Sequence, residues 1–324
     1  MEAAINSILN QTFSNLEFII IDDGSTDATW PILKTYAQQD SRILLVSNGK
    51  NLGLVNSLNK GLSLAKGKYI ARMDADDISL PKRFAKQVAF MDANPEVGVC
   101  GSWIQFTGEV ADNVWIYPTD DETICCCLLF DSGMAHPSVI MRKDVFAKFD
   151  LFYDPAYIWV EDHELWARSS KYCKLANIGE VLLLYRLHAN QIGQRHKQEQ
   201  ISSAKRFLLS ELETLGLQPT ADELNLHQAL TCCQFKATKD FVNLAHIWLK
   251  KIKSANDKTQ IYNKIALSNV LGQRWFFLCN ATTQLGWWIW ETFWNSPFSV
   301  SVGLSWQQQL KFALKSQLKL KSNV

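Results

Sequence analysis

An apolar run at residues 68–77, KYIARMDADD, ends in three closely spaced aspartates. Asp74, Asp76 and Asp77 would repel one another unless a cation or an array of hydrogen-bond donors compensates their charge. Oxygen ligands at this density suit Mg²⁺ or Mn²⁺, which bind few protein carboxylates and otherwise coordinate water and phosphate. The segment therefore predicts a site for a divalent ion bound to a diphosphate.

Two further acidic segments could contribute to such a site. DDGSTD at residues 22–27 follows the apolar run EFIII, and its residue types also suit a simple turn that caps a helix. Glu161 and Asp162 open a helical pattern, where the helix N-terminus favours carboxylates in any case. A carboxylate there could act as a general base if the fold brings it opposite the metal.

The elements that must position these residues alternate along the first part of the chain. Helical patterns separate four short apolar runs, at 17–21, 43–47, 68–72 and 97–106. This alternation predicts an α/β fold with a mostly parallel sheet flanked by helices, and ligands bound beyond the carboxyl ends of the strands. We expect this domain at residues 1–195, followed by a helical, tryptophan-rich region at 196–324.

Composition and motifs exclude several classes of function. A formal net charge of +1 gives no global field for binding nucleic acid, and the chain has no P-loop, GxGxxG, HExxH or GxSxG motif. Its eight cysteines include a run of three and a run of two but no CxxC pair, which favours reduced thiols and a cytoplasmic location. We recognise neither a signal peptide nor an apolar run of about 20 residues that could span a bilayer.

Residues 1–192 resemble a family 2 glycosyltransferase of the GT-A type, an inverting enzyme that uses a nucleotide-diphosphate sugar. The resemblance rests on four stretches in the family's order, which are EAAINSILNQTFSNLEFIIIDDGSTDATWPILKTYA, NLGLVNSLNKGLSLAKGKYIARMDADDISLPKRFAKQ, HPSVIMRKDVF and EDHELWARSSKYCKLANIGEVLLLYRLHANQIG. It implies the GT-A fold, a Mg²⁺ or Mn²⁺ cofactor, and sugar transfer to a glycan or lipid-linked acceptor in surface polysaccharide synthesis.

The resemblance also implies a role for each acidic residue. Asp22 and Asp23 would contact the base or ribose of the nucleotide. Asp74 and Asp76 would form the DxD motif, with Asp76 as the direct metal ligand and Asp74 nearer the ribose. Asp162 would be the catalytic base that takes a proton from the acceptor hydroxyl as its oxygen attacks the anomeric carbon. This single displacement would invert the configuration.

Four weaker candidates also have structural interpretations. Glu161 shares the helix start with Asp162, and His136 could line the acceptor side or simply belong to a turn. His188 could be an additional ligand or phosphate contact, or a structural residue. Arg83 could touch phosphate, although a solvated helix start is the simpler interpretation.

The chain departs from the family pattern in its first residues. Family members begin with an apolar strand and a PxYN-type turn, whereas this sequence begins within the helix that follows, at MEAAINSIL. In the GT-A sheet that strand lies between the strands that end at Asp22 and Asp74, so we expect both to lack a ladder partner. Either the true start lies upstream, or the chain is an inactive or unstable remnant.

The C-terminal region contains a helical pattern of another kind. WQQQLKFALKSQLKLK at 306–321 places an apolar stripe beside a row of lysines; the stripe is Trp306, Leu310, Leu314 and Leu318, and the lysines are Lys311, Lys315 and Lys319. This is typical of a helix on an anionic membrane surface, and it predicts peripheral contact through 285–321 at the inner face of the cell membrane. The alternative is a helical subdomain whose tryptophans pack on the catalytic domain or on a second copy.

Two other functions compete with that of a working glycosyltransferase. One is a catalytically inactive protein that binds sugar nucleotides or acts as a scaffold, because it lacks the first strand. The other is a nucleotidyltransferase, a class that has acidic metal sites on similar sheets.

Overall fold

A computed structural model describes residues 1–108, 113–187 and 197–320, and the chain divides into two compact units. The first contains residues 1–124 and 132–203, and the second contains residues 125–131 and 204–324.

Helices and strands alternate through residues 1–187. The helices are α1 (Glu2–Leu9), α2 (Thr29–Gln39), α3 (Leu54–Leu64), α4 (Arg83–Ala93), α5 (Asp121–Cys127), α6 (Lys143–Lys148) and α7 (Glu161–Ser169). The strands are β1 (Phe18–Asp22), β2 (Ile43–Ser47), β3 (Tyr69–Ala71), β4 (Ile78–Ser79), β5 (Val97–Gly108), β6 (Val114–Trp115), β7 (Ile140–Arg142) and β8 (Lys174–Leu187). The four strands expected from apolar runs are all present, as β1, β2, β3 and β5.

The strands form two sheets. β1 and β2 pair in parallel, whereas the second sheet has the order β3-β7-β5-β8-β4, with β6 paired to β5. In this second sheet β5 and β8 are parallel and the other described pairs are antiparallel. The α/β fold class is confirmed: the two longest strand pairings, β1 with β2 and β5 with β8, are parallel. The shorter pairings are antiparallel, because short connections suffice to return a strand such as β6 antiparallel to its neighbour.

Strands β1 and β3 each keep one edge without a partner strand among the described residues. β1 pairs with β2 alone, and β3 pairs with β7 alone. The apolar side chains of β1, from Phe18 to Ile21, are accordingly half-buried rather than fully buried. The Glu17 carboxylate, just before β1, accepts hydrogen bonds from the backbone N–H groups of Lys66 (2.5 Å) and Gly67 (2.9 Å), just before β3. These open edges agree with the expectation that both strands lack a ladder partner.

Helix α4 shows how the first unit places polar groups in its interior. The side chains that this helix buries are Arg83, Gln87 and Met91, two of which are polar. The Gln87 side-chain amide donates to the carbonyl oxygens of Cys100 (3.1 Å) and Ser138 (2.8 Å). A buried polar face of this kind is stable only because each group finds a hydrogen-bond partner. It fixes α4 against β5 and the segment before β7.

The second unit is helical. Its helices are α8 (Lys197–Thr214), which belongs to this unit from Ala204 onward, α9 (Ala221–Thr231), α10 (Lys239–Thr259), α11 (Lys264–Ala281), α12 (Trp287–Trp294) and α13 (Trp306–Gln317). Its core is built around the fully buried indoles of Trp248 and Trp275. His227 is also buried, with Nδ1 accepting from Trp248 Nε1 (3.1 Å) and Nε2 donating to the Leu129 carbonyl (2.8 Å).

None of the helices in the described ranges is long and apolar enough to cross a membrane. All eight cysteines are free thiols.

Candidate active site

The three aspartates that follow β3 occupy three different environments. Both carboxylate oxygens of Asp74 accept hydrogen bonds from Arg72, at 2.5 and 2.8 Å. Asp77 is buried, and its Oδ1 accepts from the backbone N–H of Arg186 on β8 at 3.0 Å. Asp76 is partly exposed, and its carbonyl oxygen accepts from Arg186 Nε at 2.9 Å. The like charge is therefore relieved in part by protein donors, before any ion is considered.

The carboxyl of Asp77 has a strongly raised pKa. Burial raises the pKa of Asp77 to about 7, the Arg186 N–H opposes this rise, and the charges of Asp74 and Asp76 add to it. A carboxyl with such a pKa is readily protonated near neutrality, which lowers the repulsion within the segment. Asp77 faces the interior, so it supports the loop and leaves Asp74 and Asp76 as the accessible pair.

Arg83 lies behind this loop and is not a solvated residue. Its side chain is fully buried, and Nη2 donates to the carbonyl oxygens of Arg72 (2.8 Å) and Val139 (3.2 Å). Burial, with the neighbouring charge of Arg72, lowers the pKa of Arg83 to about 9. The expectation of a solvated helix start is wrong, because α4 turns this residue inward to two backbone carbonyl groups. A guanidinium in that position cannot reach a phosphate at the surface.

Asp162 interacts electrostatically with Arg72 and Asp74, although it lies far from both in the sequence. It is the second residue of α7 and is half-buried. Burial raises the pKa of Asp162, the His163 N–H and Arg72 lower it, and the charge of Asp74 raises it again. The guanidinium of Arg72 likewise interacts electrostatically with both Asp74 and Asp162. Two carboxylates from different parts of the sequence therefore interact with one buried arginine.

Glu161 precedes Asp162 and is more deeply buried. Burial, and then the charge of Asp162, raise the pKa of Glu161 to about 7. Its Oε2 atom finds no hydrogen-bond partner among the described residues. Of this pair, Asp162 is the more accessible carboxylate.

His136 also belongs to this cluster. Its Nε2 lies 2.9 Å from the hydroxyl of the buried Tyr153. Burial, with the charge of Arg72, lowers the pKa of His136 well below its usual range, so the ring is neutral. His188, the other candidate histidine, lies outside the described residues.

Asp22 and Asp23 end β1 and differ in what their carboxylates bind. Asp22 is buried and lies 3.4 Å from the backbone N–H of Ser25. Asp23 accepts from the Asn48 side chain (2.8 Å) and from the backbone N–H groups of Leu52 (2.8 Å) and Gly53 (2.9 Å). Partial burial acts to raise the pKa of Asp23, but these hydrogen bonds outweigh it and lower the pKa. Asp23 thus also holds the loop before α3 in place.

A shallow pocket lies beside Asp23. Its lining residues are Asp23, Gly24, Ser25, Thr26, Asp27 and Asn51. Gly24 has φ +82°, and a Cβ atom there would lie 2.6 Å from the backbone of Lys50 and Asn51. Glycine is therefore required for the two loops to approach this closely.

Sequence reasoning missed three residues that surround the carboxylates. Arg72 lies two positions before Asp74 in the same segment, so its spacing could have identified it. Tyr117 and Tyr185 have raised pKa values, chiefly through burial, with Asp162 contributing at Tyr117 and Asp74 at Tyr185. Nothing in their local sequence indicates that these tyrosines interact with the carboxylates.

Comparison with known proteins identifies relatives of the chain. The sequence profile of Glycosyl transferase family 2 matches residues 1–149. An uncharacterized glycosyltransferase of Haemophilus influenzae is 38% identical over 217 residues, which cover 64% of this chain and 67% of that protein. The Escherichia coli UDP-Glc:alpha-D-GlcNAc-diphosphoundecaprenol beta-1,3-glucosyltransferase WfaP is 31% identical, covering 61% of this chain and 76% of that protein.

Solved structures show the same fold. A crystal structure of Staphylococcus aureus TarS 1–349 in complex with UDP covers 93% of this chain and 86% of that one, with a TM-score of 0.55 and 14% identity. This identity is low, so the similarity extends to the fold alone. The matching profile, the relatives and the fold together show that the chain belongs to glycosyltransferase family 2.

Proposed function

We propose that the protein is an inverting glycosyltransferase that moves a sugar from a nucleotide-diphosphate donor to a glycan or lipid-linked acceptor in surface polysaccharide synthesis. The observation that carries the proposal is that the buried Arg72 guanidinium, which is hydrogen-bonded to Asp74, also interacts electrostatically with Asp162. Inverting transfer needs a leaving-group site and a base within one cleft, and this pair can supply both.

Asp162 is the proposed base. Its half-buried position raises its pKa, and a carboxylate whose pKa is raised toward the working pH accepts a proton more readily. The positive charge of Arg72 favours the ionised form of Asp162 and so opposes this rise in its pKa. Asp162 would accept the acceptor's hydroxyl proton while that oxygen bonds to the anomeric carbon and the nucleotide diphosphate departs.

Asp76 and Asp74 are the proposed metal ligands. Within the described residues, no three His, Cys, Asp or Glu side chains come together as a set that could bind a metal. Two partly exposed carboxylates suit a Mg²⁺ or Mn²⁺ ion that takes its other ligands from phosphate and water. Such an ion would offset the charge on the departing diphosphate. The segment around Asp22 and Asp23 is the proposed nucleotide side.

Two relatives support the acceptor class. WfaP is named as acting on a diphosphoundecaprenol-linked sugar, and AmsE of Erwinia amylovora is named for amylovoran biosynthesis. A lipid-linked acceptor would require this enzyme to work at the inner face of the cell membrane, with peripheral contact through residues 285–321.

A second candidate function is sugar-nucleotide binding without catalysis. Within the described ranges β1 and β3 each pair with a single strand, which favours this function, because both strands lead directly into the proposed site. Membership of the glycosyltransferase family argues against the nucleotidyltransferase alternative.

The test compares Asp162→Asn and Asp76→Ala with a matched control, Asp144→Asn. Asp144 also lies in the first turn of a helix in the same unit but is exposed, so its substitution should leave transfer unchanged. We expect Asp162→Asn to lower kcat by about 10²–10⁴-fold with donor binding retained. Asp76→Ala should weaken the Mn²⁺ dependence of donor binding. Unchanged sugar transfer in either variant would refute the assignment, and donor binding without turnover in the unmodified chain would favour the second function.

A further inference from the structure

Helix α13 presents an apolar stripe to solvent. The exposed fractions are 70% for Trp306, 51% for Leu310, 47% for Leu314 and 63% for Leu318, which directly follows the helix. Residues four apart lie on nearly the same side of a helix with about 3.6 residues per turn. These side chains, with Leu320, line one shallow groove. We call them the α13 stripe.

The opposite side of the helix is fixed to the second unit. Phe312 is 1% exposed, and its ring packs against those of Phe276, Trp290 and Phe293. Ser305 and Gln308 form a capping box that defines the start of the helix. The packing therefore holds the α13 stripe outward, because turning it inward would expose Phe312.

The charge beside the stripe has one sign. Lys311 and Lys319 are exposed on its flank, and residues 292–324 contain four lysines and no acidic residue. The Lys319 side chain passes over Gly286, where an added Cβ would lie 3.2 Å from Cε. Trp287, the next residue, is 48% exposed. An exposed aromatic side chain thus lies next in sequence to the glycine that Lys319 covers.

We propose that the α13 stripe docks on a bilayer that carries anionic headgroups, with its leucines in the interface and its lysines on the phosphates. Leucine and tryptophan suit the apolar part of the bilayer interface, and lysine suits the anionic headgroups. Each kind of side chain thus contacts a layer that is complementary to it. A symmetric pair of copies joined through this stripe would place lysine rows together with no acidic partner in 306–320. The helix has 12 residues, so it would lie on the bilayer rather than cross it. Docking would bring the enzyme to a lipid-linked acceptor, and to that extent it rests on the proposed function.

The test is sedimentation of the full chain with phosphatidylcholine vesicles, either pure or with about one third phosphatidylglycerol. We expect binding to the anionic vesicles only, weakened by added salt. Leu310→Glu with Leu314→Glu should lower the partition coefficient about 100-fold. The matched control is Leu244→Glu with Ile247→Glu on α10, two equally exposed apolar positions, which should bind like the parent chain.

A milder pair of substitutions tests the contribution of the lysine charges separately from any effect on folding. Lys311→Gln with Lys319→Gln should lower binding to anionic vesicles about 25-fold, at about fivefold per lysine. Lys258→Gln with Lys264→Gln, exposed lysines elsewhere in the same unit, should have little effect. Unchanged binding in both α13 variants would overturn the proposal. The proposal would also be overturned if the parent chain does not bind anionic vesicles, or if it forms a dimer that Leu310→Glu dissociates. None of these measurements requires sugar transfer, so failure of the proposed function would be seen separately.

Discussion

The Arg72 guanidinium and the Asp74 carboxylate form a two-point pair, with Nη2 2.5 Å from Oδ1 and Nη1 2.8 Å from Oδ2. Arg72 is buried at the end of β3, and its own backbone is held by Val139 and Arg83. The orientation of Asp74 therefore depends on a side chain that cannot itself move far. Asp162 interacts with the same guanidinium, so Arg72 links the proposed metal ligand Asp74 to the proposed base Asp162.

We expect Arg72→Lys to lower kcat/KM by about 10–100-fold, because lysine keeps the charge but cannot form the two-point pair. The chain offers a matched control in Arg42→Lys. Arg42 forms an equivalent pair with Asp40, also two positions away, at 2.7 and 3.0 Å. That pair lies outside the proposed site, so kcat/KM should not change. Equal losses in both variants would show that the effect is structural only.

Asp77→Asn should make the protein less sensitive to alkaline pH. The folded-state pKa of Asp77 is raised from 3.8 to about 7, so its contribution to stability is complete below the unfolded value and is lost as the pH rises through 7. Asparagine stays neutral and keeps the acceptor for the Arg186 N–H. Relative to the parent chain, its free energy of unfolding should rise by about 4 kcal/mol between about pH 4 and pH 8.

The control for this titration is Asp92→Asn. Hydrogen bonds from Lys68 and Tyr69 lower the pKa of Asp92, so its loss should act in the opposite direction. Parallel pH curves for Asp77→Asn and the parent chain would contradict the assignment.

His227 should make the second unit sensitive to acid. Burial lowers its pKa from 6.5 to about 4, so the stability it contributes is present above 6.5 and is lost as the pH falls through 4. In His227→Phe this dependence should disappear. The same variant should lose about 2 kcal/mol at neutral pH, because Trp248 Nε1 and the Leu129 carbonyl lose their partner. Chemical unfolding followed by tryptophan fluorescence measures both effects, and an unchanged acid transition would refute the prediction.

Asp23→Ala should destabilise the loop before α3 by about 2 kcal/mol, because the N–H groups of Leu52 and Gly53 lose a charged acceptor. Asp27→Ala, in the same segment, is the control. Asp27 is exposed, and its carboxylate accepts only from the Thr29 N–H among the hydrogen bonds described. Thermal unfolding without nucleotide isolates this structural effect, and equal melting temperatures for the two variants would contradict it.

The sequence predicted those features that depend on local pattern. The apolar runs that became β1, β2, β3 and β5 are short and bounded by polar turns, so they were recognisable. The 14-residue strand β8 was not predicted from the pattern, because Gly179 and Glu180 interrupt its apolar residues, and its pairing with β5 contains register shifts. The burial of Arg83 was also hidden, since its acceptors include a carbonyl group 56 residues away. Partners this distant along the chain cannot be predicted from the local sequence pattern.

The bare edge of β1 has a consequence for handling the protein. Phe18 to Ile21 form an uncharged, strongly strand-forming run. In the part of the chain that the structure describes, β2 is the only strand paired with it, so one row of its backbone groups has no strand partner. Such an edge serves as a template on which further extended segments can assemble, and concentration drives that reaction. Preparations of this chain should therefore form fibrous precipitates that bind amyloid dyes, and a lysine placed on the exposed edge should keep them clear.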